Sequence, residues 1–405
     1  MLRVAFDGRS LASPVLRGWD RYAVGLLGEL IRGGVEVTVF HRRRQPLHAP
    51  HLAGLGCRIA GLRDLGGLHY EQVVVPAALG SGRFDLFHAP FEYGVPLASP
   101  CPVVLTLHSV TAHSYLDLVK RGLLPGTAGD YLGAEPDLRS FASRYWRAQV
   151  ARARHILAPS EFCREEIIRL LGVAPRRVTT TPLAAHDQFR RPARDPARRA
   201  ETLQRHGVGK PYLLNVGGYE RHKNVRSTLE AFAKVRAARP DLALVIVGTK
   251  AVPDEVRTQV EALGLAPGRD VHFLVNLTED LTDLYDEAEL LVTLSWRETF
   301  GLPALEAMTR GVPVVASSWG AAPEVVGDAG RLVDPRDTDA ARDAILELLT
   351  PAARGRLAPE IRRRAESYSW GRTAALTMAV YEQLAPPPSS PAAPRGGHRA
   401  PDSRR

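Results

Sequence analysis

Two glutamates, Glu298 and Glu306, bracket a short stretch that reads Thr-Phe-Gly-Leu-Pro-Ala-Leu. A carboxylate beside a helix N-terminus is suited to accept hydrogen bonds from the hydroxyls of a ribose or another sugar. Taken singly, each glutamate is explained at least as well by a solvated surface position. Their joint setting favours a site for a ligand that carries many hydroxyl groups.

The residues around the two glutamates predict a strand-to-helix turn. An apolar run at 290–294 reads as a buried strand, and 304–310 has helical composition that stops at Gly311. A second apolar run at 312–316 follows at once, which completes a βαβ unit. The turn therefore lies at the carboxyl end of a parallel strand, the edge at which open α/β sheets bind ligands.

The predicted helix start is suited to an anion. Pro303 fits the first helical position because it has no N–H to leave unpaired. The amides of Gly301, Leu302 and Ala304 would then point at a bound anion.

A second cluster follows a strand predicted at 212–216. The loop Gly-Gly-Tyr-Glu-Arg-His-Lys-Asn contains Arg221 and Lys223, and a helix is predicted from about Val225 to Ala238. A strand, a glycine-containing loop, two cations and a helix form a phosphate-binding arrangement. Only five of the 53 basic residues are lysine, so a lysine here is informative, although both cations could simply be solvated.

Three positions in the first half of the chain are further candidates. Gly18 precedes a predicted helix and would permit close backbone approach to an anion, but it fits a flexible turn equally well. His108 follows an apolar run at 103–107 and could donate to a sugar hydroxyl or a phosphate. His88 follows a similar run and is the rival position, and either histidine could be structural.

The segment around Glu298 and Glu306 resembles the Glu-x7-Glu signature of retaining glycosyltransferases of family 4. The resemblance implies that Glu298 contacts the donor sugar and Glu306 the ribose, with Phe300, Gly301 and Leu302 between them in the donor site. It also gives Lys223, and more loosely Arg221, the task of neutralising charge on the departing diphosphate.

The same resemblance covers nearly all of 4–384 and extends to the other candidates. It implies that Gly18 approaches the donor phosphates and that His108 is the donor-sugar histidine. It places the base against main-chain groups at Val275 and Asn276. No metal and no cofactor is implied, because the nucleotide-sugar is itself a substrate, and the chain shows no metal-binding spacing.

The resemblance further implies an α/β architecture, the GT-B fold of two Rossmann-like domains whose parallel sheets face a central cleft. We predict an acceptor domain at 1–190, a donor domain at 191–368, a helix at 369–385 that returns to the first domain, and a disordered tail at 386–405.

Composition limits location and partners. Cys57, Cys101 and Cys163 show no paired spacing, the start of the sequence has no signal pattern, and no apolar run is long enough to span a bilayer. We therefore expect a cytoplasmic protein, either soluble or peripheral on the inner face of a membrane.

Charge is unevenly placed along the chain. Residues 1–200 carry 27 Lys plus Arg against 17 Asp plus Glu, a net charge of +10, whereas 201–385 has a net charge of −4. The basic half would be drawn to anionic lipid or phosphorylated substrates, and genome bias toward arginine explains it equally well. An arginine-rich helix predicted at 137–154 could lie on a membrane or be an ordinary exposed helix.

The function that the resemblance implies is retaining transfer of a sugar from a nucleotide-sugar to a glycan, lipid-linked or small-molecule acceptor in cell-surface glycan synthesis. We favour mannose as the transferred sugar and GDP-mannose as its donor. No nucleic-acid partner is expected. Two alternatives stay open: a nucleotide-sugar epimerase of the same fold, and a non-catalytic protein that binds nucleotide-sugars or polyanions.

Overall fold

The computed structural model describes residues 1–13, 18–48, 52–82, 84–209 and 211–385, and it forms two parallel sheets with helices on both faces. The predicted tail at 386–405 lies outside these residues. The first sheet contains β1 (Arg3–Asp7), β2 (Glu36–Arg42), β3 (Arg58–Leu62), β4 (Leu86–Ala89), β5 (Val103–Thr106), β6 (His155–Ala158) and β7 (Val178–Thr180). The second contains β8 (Tyr212–Val216), β9 (Ala243–Gly248), β10 (Val271–Val275), β11 (Leu290–Thr293), β12 (Val314–Ser317) and β13 (Arg331–Val333).

Helices connect most pairs of successive strands, which lets neighbouring strands run parallel. Those around the first sheet are α1 (Gly18–Arg32), α2 (Gly67–His69), α3 (Val75–Gly82), α4 (Thr111–Lys120), α5 (Gly129–Leu132), α6 (Phe141–Arg152) and α7 (Glu161–Leu171). Those that follow are α8 (Pro196–Arg205), α9 (Val225–Ala238), α10 (Asp254–Ala262), α11 (Leu281–Glu287), α12 (Leu302–Thr309), α13 (Ala322–Val326), α14 (Thr338–Leu348), α15 (Pro351–Glu366) and α16 (Trp370–Leu384). A π-helical turn, Tyr70–Val74, joins α2 to α3.

Both sheets are doubly wound. The strand order is β3-β2-β1-β4-β5-β6-β7 in the first sheet and β10-β9-β8-β11-β12-β13 in the second. Every residue of β4, β5, β6, β9, β11 and β12 is buried, because helices cover both faces. In each sheet the order reverses between two strands, and that reversal point is where such sheets bind ligands.

The last helix returns to the first domain, as predicted. Trp370 at the start of α16 packs on α1, where a Cβ on Gly25 would lie 2.4 Å from its ring. Further along α16, the Tyr381 hydroxyl lies 2.5 Å from His88 Nδ1 at the end of β4. The predicted domain boundary at 190/191 falls just after a 3₁₀ turn, Asp187–Arg190, that precedes α8.

Candidate active site

Glu298 lies in the loop between β11 and α12, and two donors hold its carboxylate. Lys223 Nζ donates to Oε1 at 2.9 Å and Ser295 Oγ donates to the same atom at 2.8 Å. Burial would raise the pKa of Glu298, but the ammonium of Lys223 and the Ser295 hydroxyl outweigh it and lower the pKa. The carboxylate is therefore ionised at neutral pH, and its side chain stays 18% exposed.

Asn224 fixes the loop that carries Lys223. It adopts a left-handed backbone (φ 51°) and caps α9, because its Oδ1 accepts from the backbone N–H of Ser227 at 3.4 Å. Its Nδ2 donates to the carbonyl of Leu294 at 2.9 Å, at the end of the strand that leads to Glu298. Asn224 thus ties the lysine loop to the glutamate loop. The sequence analysis did not single it out, although an Asn just before a helix is a recognisable capping signal.

A glycine supports the other side of the Glu298 loop. Gly320 has a φ of +70°, and a Cβ there would lie 2.7 Å from both the N and the O of Glu298. The next residue, Ala321, donates its N–H to the Glu298 carbonyl at 2.9 Å. The turn between β12 and α13 therefore packs directly against the backbone of Glu298, and any larger residue at 320 would displace it.

Glu306 has a different environment from Glu298. It is 2% exposed, and its carboxylate accepts from Arg21 at 2.5 Å and from the Tyr285 hydroxyl at 3.1 Å. Burial raises the pKa of Glu306 despite the nearby guanidinium. Because Arg21 belongs to α1, this contact joins the two domains. It covers Glu306, whereas the Glu298 side chain stays partly exposed.

The first turns of α1 bring the first domain to this site. A Cβ on Gly18 would lie 3.7 Å from Leu302 at the start of α12. One turn further, Tyr22 packs edge-on against the His108 ring, with centroids 4.9 Å apart. Gly18 was predicted to precede this helix, but it is the first residue of α1, and residues 14–17 lie outside the described residues.

His108 is neutral and His88 is structural. His108 Nε2 lies 2.9 Å from the carbonyl of Pro90, which puts the proton on that nitrogen and leaves Nδ1 as the acceptor. Burial lowers the pKa of His108 to about 4. His88 is fully buried, with Tyr381 on Nδ1 and Thr106 Oγ1 at 2.7 Å from Nε2. Both nitrogens of His88 are engaged, so His108 is the candidate that keeps a free ring position for chemistry.

The N-terminus of α12 differs in detail from the prediction. Leu302, not Pro303, is the first helical residue, and the amide of Ala304 donates to the Gly301 carbonyl at 3.1 Å rather than pointing at a ligand. Phe300 was expected in the donor site. Its side chain is instead 2% exposed and packs edge-on against Tyr368 at 5.5 Å, because the glycine turn directs it into the core.

Arg221, Val275 and Asn276 are not brought to the Lys223–Glu298 pair. Arg221 is 58% exposed and donates to the carbonyl of Asp130 in the first domain at 3.0 Å, so it points away from Lys223. Val275 is 42% exposed, at the end of edge strand β10, and β9 and β8 lie between β10 and β11, three inter-strand steps of roughly 4.8 Å each. Val275 and Asn276 lie at the same carboxyl end of the sheet as Glu298, but beside the outermost strand β10, away from Glu298.

Helix α7 supplies further contacts that the sequence analysis did not foresee. Ser160 is its N-cap, since the Ser160 hydroxyl accepts from the backbone N–H of Cys163 at 3.0 Å, and the same hydroxyl donates to the carbonyl of Thr299 at 2.6 Å. Glu166 pairs with Arg297, the residue before Glu298, and both side chains are at most 7% exposed. The Glu324 carboxylate accepts from the backbone N–H of Glu161 at 3.0 Å, so the second domain caps the helix. These partners are more than 130 positions apart, and no local pattern pairs them.

Taken together, the geometry places an ionised carboxylate, an ammonium and a neutral imidazole near the interface of two α/β domains. Such a set can orient hydroxyl groups and stabilise a phosphate that departs as an anion. Within the described residues, no helix has the length and apolar character needed to cross a bilayer.

Family models match both halves of the chain. Residues 16–188 match Glycosyltransferase Family 4, and residues 199–367 match Glycosyl transferases group 1.

Curated relatives include two bacterial mannosyltransferases. O-antigen chain mannosyltransferase B of Escherichia coli is 36% identical over 57% of this chain and 61% of its own length. MMP alpha-(1->4)-mannosyltransferase of Mycolicibacterium hassiacum is 33% identical over 66% of this chain and 67% of its own length. D-inositol 3-phosphate glycosyltransferase of Corynebacterium jeikeium is 29% identical over 91% of this chain and 92% of its own length.

Solved structures share the fold at low identity. Sucrose-phosphate synthase from Thermosynechococcus elongatus superposes with a TM-score of 0.73 at 21% identity, covering 95% of this chain and 99% of that one. HepE from Anabaena, in complex with UDP and glucose, gives a TM-score of 0.72 at 16% identity, covering 95% and 100%. These likenesses confirm the predicted two-domain GT-B architecture.

Proposed function

The chain is a glycosyltransferase of family 4, and we propose that it moves a sugar from a nucleotide-sugar donor to a glycan or lipid-linked acceptor with retention of configuration. The observation that carries this proposal is the Lys223–Glu298 pair at the carboxyl edge of the second sheet. A donor diphosphate beside Lys223 would leave with its charge neutralised, and Glu298 would hold a hydroxyl of the transferred sugar.

Other residues take supporting parts in the proposed reaction. His108, neutral at working pH, accepts through Nδ1 from a sugar hydroxyl. Glu306 holds the ribose, and for this the nucleotide must displace Arg21 from its carboxylate. Donor binding and the relative position of α1 and α12 are then linked, and closure of the cleft excludes water.

Mannose is the sugar that we favour. Two of the relatives described above are mannosyltransferases by name, and they are the more similar in sequence. GDP-mannose is accordingly the first donor to test. HepE binds UDP and glucose, so uridine donors belong in the same screen.

The test is a thermal-shift and hydrolysis screen of purified protein against GDP-mannose, UDP-glucose and UDP-N-acetylglucosamine. We expect one donor to raise the melting temperature and to release its nucleotide slowly without acceptor. Anomeric NMR of the transfer product then reports retention or inversion. A donor that binds without any turnover, with or without candidate acceptors, would overturn the transferase proposal in favour of a binding protein.

We also propose that no metal ion takes part, because Lys223 supplies the cationic charge at the diphosphate. Nucleotide release from the best donor should then be unchanged by excess EDTA. Loss of turnover with EDTA, and its return with Mg²⁺ or Mn²⁺, would contradict this part of the proposal.

Peripheral attachment to an anionic membrane is the remaining part of the proposal. Large apolar side chains are exposed on one side of the first domain: Leu65 81%, Leu68 55%, Val73 54%, Leu97 40% and Phe141 75%. Gln72 connects them, since it accepts from the Leu97 amide and donates to Tyr145, on which Phe141 stacks. An apolar patch on the basic domain is suited to a cytoplasmic membrane surface.

A further inference from the structure

A cavity of about 290 Å³ lies between the two domains, behind the Glu298 loop. Its walls come from α4 and α7 of the first domain and from the loops that follow β11, β12 and β13 of the second. Gly320 lines it, and the backbone of Gly320 packs against that of Glu298. The cavity is thus a neighbour of the candidate active site, yet none of the predicted donor residues lines it.

Two indoles form one side of the cavity. Trp296 and Trp319 lie 5.8 Å apart at an interplanar angle of 52°, and both are only partly buried. Arg336 stacks on the Trp319 ring at 4.9 Å, which holds that indole in place. Partly exposed aromatic faces in a concave site are a common platform for ring-shaped ligands with an apolar face, such as sugars.

The lining is positively charged. Four guanidinium groups, those of Arg121, Arg169, Arg297 and Arg336, face the carboxylates of Asp117 and Glu166. Asp334, just outside the lining, pairs with Arg336 at 2.7 Å, so four positive charges meet three negative ones, a net charge of +1. The side chains of Arg121, Arg169 and Arg336 are 56%, 48% and 54% exposed, so each keeps donors that its ion pair does not use. Guanidinium groups bind carboxylates and phosphates through paired donors.

We propose that this cavity is a binding site for an anionic sugar, a uronate or a phosphorylated hexose, that forms part of the acceptor glycan. The proposal rests on the transferase function above. The volume, near the lower end of about 300–1,000 Å³ for small-molecule sites, suits one or two sugar rings. The indoles stack on a ring and the rim arginines bind its charge.

Because the cavity lies between the domains, a bound ligand also affects how the two domains are arranged. One wall belongs to each domain, so a bound sugar contacts both and favours the arrangement in which they meet. The same arrangement pairs Glu166 with Arg297, next to Glu298. An acceptor of the right charge would therefore help to close the enzyme around its donor.

The test measures binding of three probes to the full chain by saturation-transfer NMR and tryptophan fluorescence. Glucuronate and glucose 6-phosphate are the anionic probes, and glucose is the neutral one. We expect at least about tenfold tighter binding of an anionic probe than of glucose, the worth of one charge-assisted hydrogen bond. The preferred anion tells whether the acceptor carries a carboxylate or a phosphate.

Substitutions in the cavity lining test whether the anionic probe binds there. Arg336→Ala and Trp319→Leu should each weaken anionic-probe binding about tenfold or more. Arg226→Ala, at an 80% exposed arginine of α9 outside the cavity, should leave it unchanged. Arg121→Ala, at the exposed rim, repeats the test if Trp319→Leu disturbs folding. Equal binding of glucose and the anions, or binding that the cavity variants leave intact, would overturn the proposal.

Donor measurements separate this proposal from the proposed function. A probe displaced competitively by GDP or UDP lies in the donor site, and that result would overturn the assignment to the cavity. Donor turnover without any anionic-sugar preference would overturn the cavity proposal and leave the transferase standing. Probe binding in the cavity by a protein that turns over no donor would overturn the acceptor assignment together with the transferase.

Discussion

At Glu298, a partly buried carboxylate stays ionised because an ammonium lies 2.9 Å away. Lys223 therefore has two effects: it stabilises the charge on Glu298, and it offers positive charge to a departing phosphate. Removing the ammonium of Lys223 affects both the charge on Glu298 and the charge offered to the phosphate. Substitutions at 223 therefore need a control that separates an effect on catalysis from an effect on folding.

We expect Lys223→Ala to lower kcat about 10²–10³-fold, the usual loss when a group that stabilises transition-state charge is removed. Lys223→Arg should recover part of this, because it keeps the charge. The matched control is Lys234→Ala in the same domain, whose ammonium pairs with Asp339 away from the site. Steady-state kinetics with the identified donor, alongside melting curves, decide the matter. Unchanged turnover in Lys223→Ala would remove its assigned role.

The buried histidines make stability depend on pH. Burial lowers the pKa of His88 to about 3 and that of His108 to about 4, below the ordinary 6.5. The unfolded chain then binds more protons than the folded chain between pH 4 and 6.5, so this stabilisation is complete above pH 6.5 and is lost as pH falls. From pH 7 to 5 we expect these two histidines together to lower the free energy of unfolding by about 4 kcal/mol.

Urea titrations at pH 5, 6 and 7 measure this slope. In a His88→Asn variant, the decrease from pH 7 to 5 should be smaller by about 2 kcal/mol, because His88 no longer takes up a proton on unfolding. A slope that is the same in the variant would show that His88 does not cause it.

At the scale of elements, α1 depends on a glycine where α16 crosses it. A Cβ on Gly25 would lie 2.4 Å from the Trp370 ring, whereas one on Gly28 would meet Leu55 at an ordinary 3.5 Å. Gly25→Ala should therefore destabilise the protein by about 1–3 kcal/mol through overpacking. Gly28→Ala, its matched control in the same helix, should be neutral or stabilise by up to about 1 kcal/mol. Thermal melts that rank the two variants in the reverse order would refute this packing argument.

Helix α7 positions the loop that carries Glu298. Removing one partner of a buried ion pair leaves an uncompensated charge, so Glu166→Gln should cost about 3–5 kcal/mol in unfolding free energy and should lower kcat more than it raises KM. Glu165→Gln, at the exposed neighbouring position on α7, should change stability by less than about 0.5 kcal/mol. Equal behaviour of the two variants would exclude a positioning role for the pair.

Local signals predicted the elements well, because they depend on nearby residues. The strand before Glu298, the helix after it and the helix after Lys223 are present as predicted. The contacts of Arg21 with Glu306 and of Glu166 with Arg297 could not be predicted, since they depend on how two separately folded sheets meet. The outward direction of Arg221 has the same origin, as its partner Asp130 belongs to the other domain.

At the scale of the whole molecule, charge and apolar exposure coincide on the first domain. One aromatic residue of α6 packs into this domain: Trp146 Nε1 donates to the Glu92 carbonyl at 2.8 Å. Phe141, at the start of the same helix, is left outside. An ordinary exposed helix, one of the two alternatives predicted for 137–154, therefore explains why Trp146 packs against the domain. It does not explain why the Phe141 ring is exposed.

We expect the protein to sediment with phosphatidylserine-containing vesicles at low salt and to be released as salt rises, because the attraction is screened. Phe141→Ser combined with Leu65→Ser should weaken binding severalfold without changing donor hydrolysis. Val275→Ser, at an exposed apolar residue of the second domain, is the matched control. Failure to sediment with anionic vesicles at low salt would remove the membrane part of the proposal.

The crossing of α16 has a consequence for the order of synthesis. The first domain leaves the ribosome early, but its His88 takes a hydrogen-bond partner from Tyr381 and its α1 is covered by Trp370. Until residues 370–384 have been made, the face of α1 that Trp370 covers stays exposed, and His88 lacks the hydroxyl of Tyr381 as a hydrogen-bond partner. The half of the enzyme that is translated first is thus completed last, and translation that stops short of α16 would leave a nascent first domain for chaperones to hold.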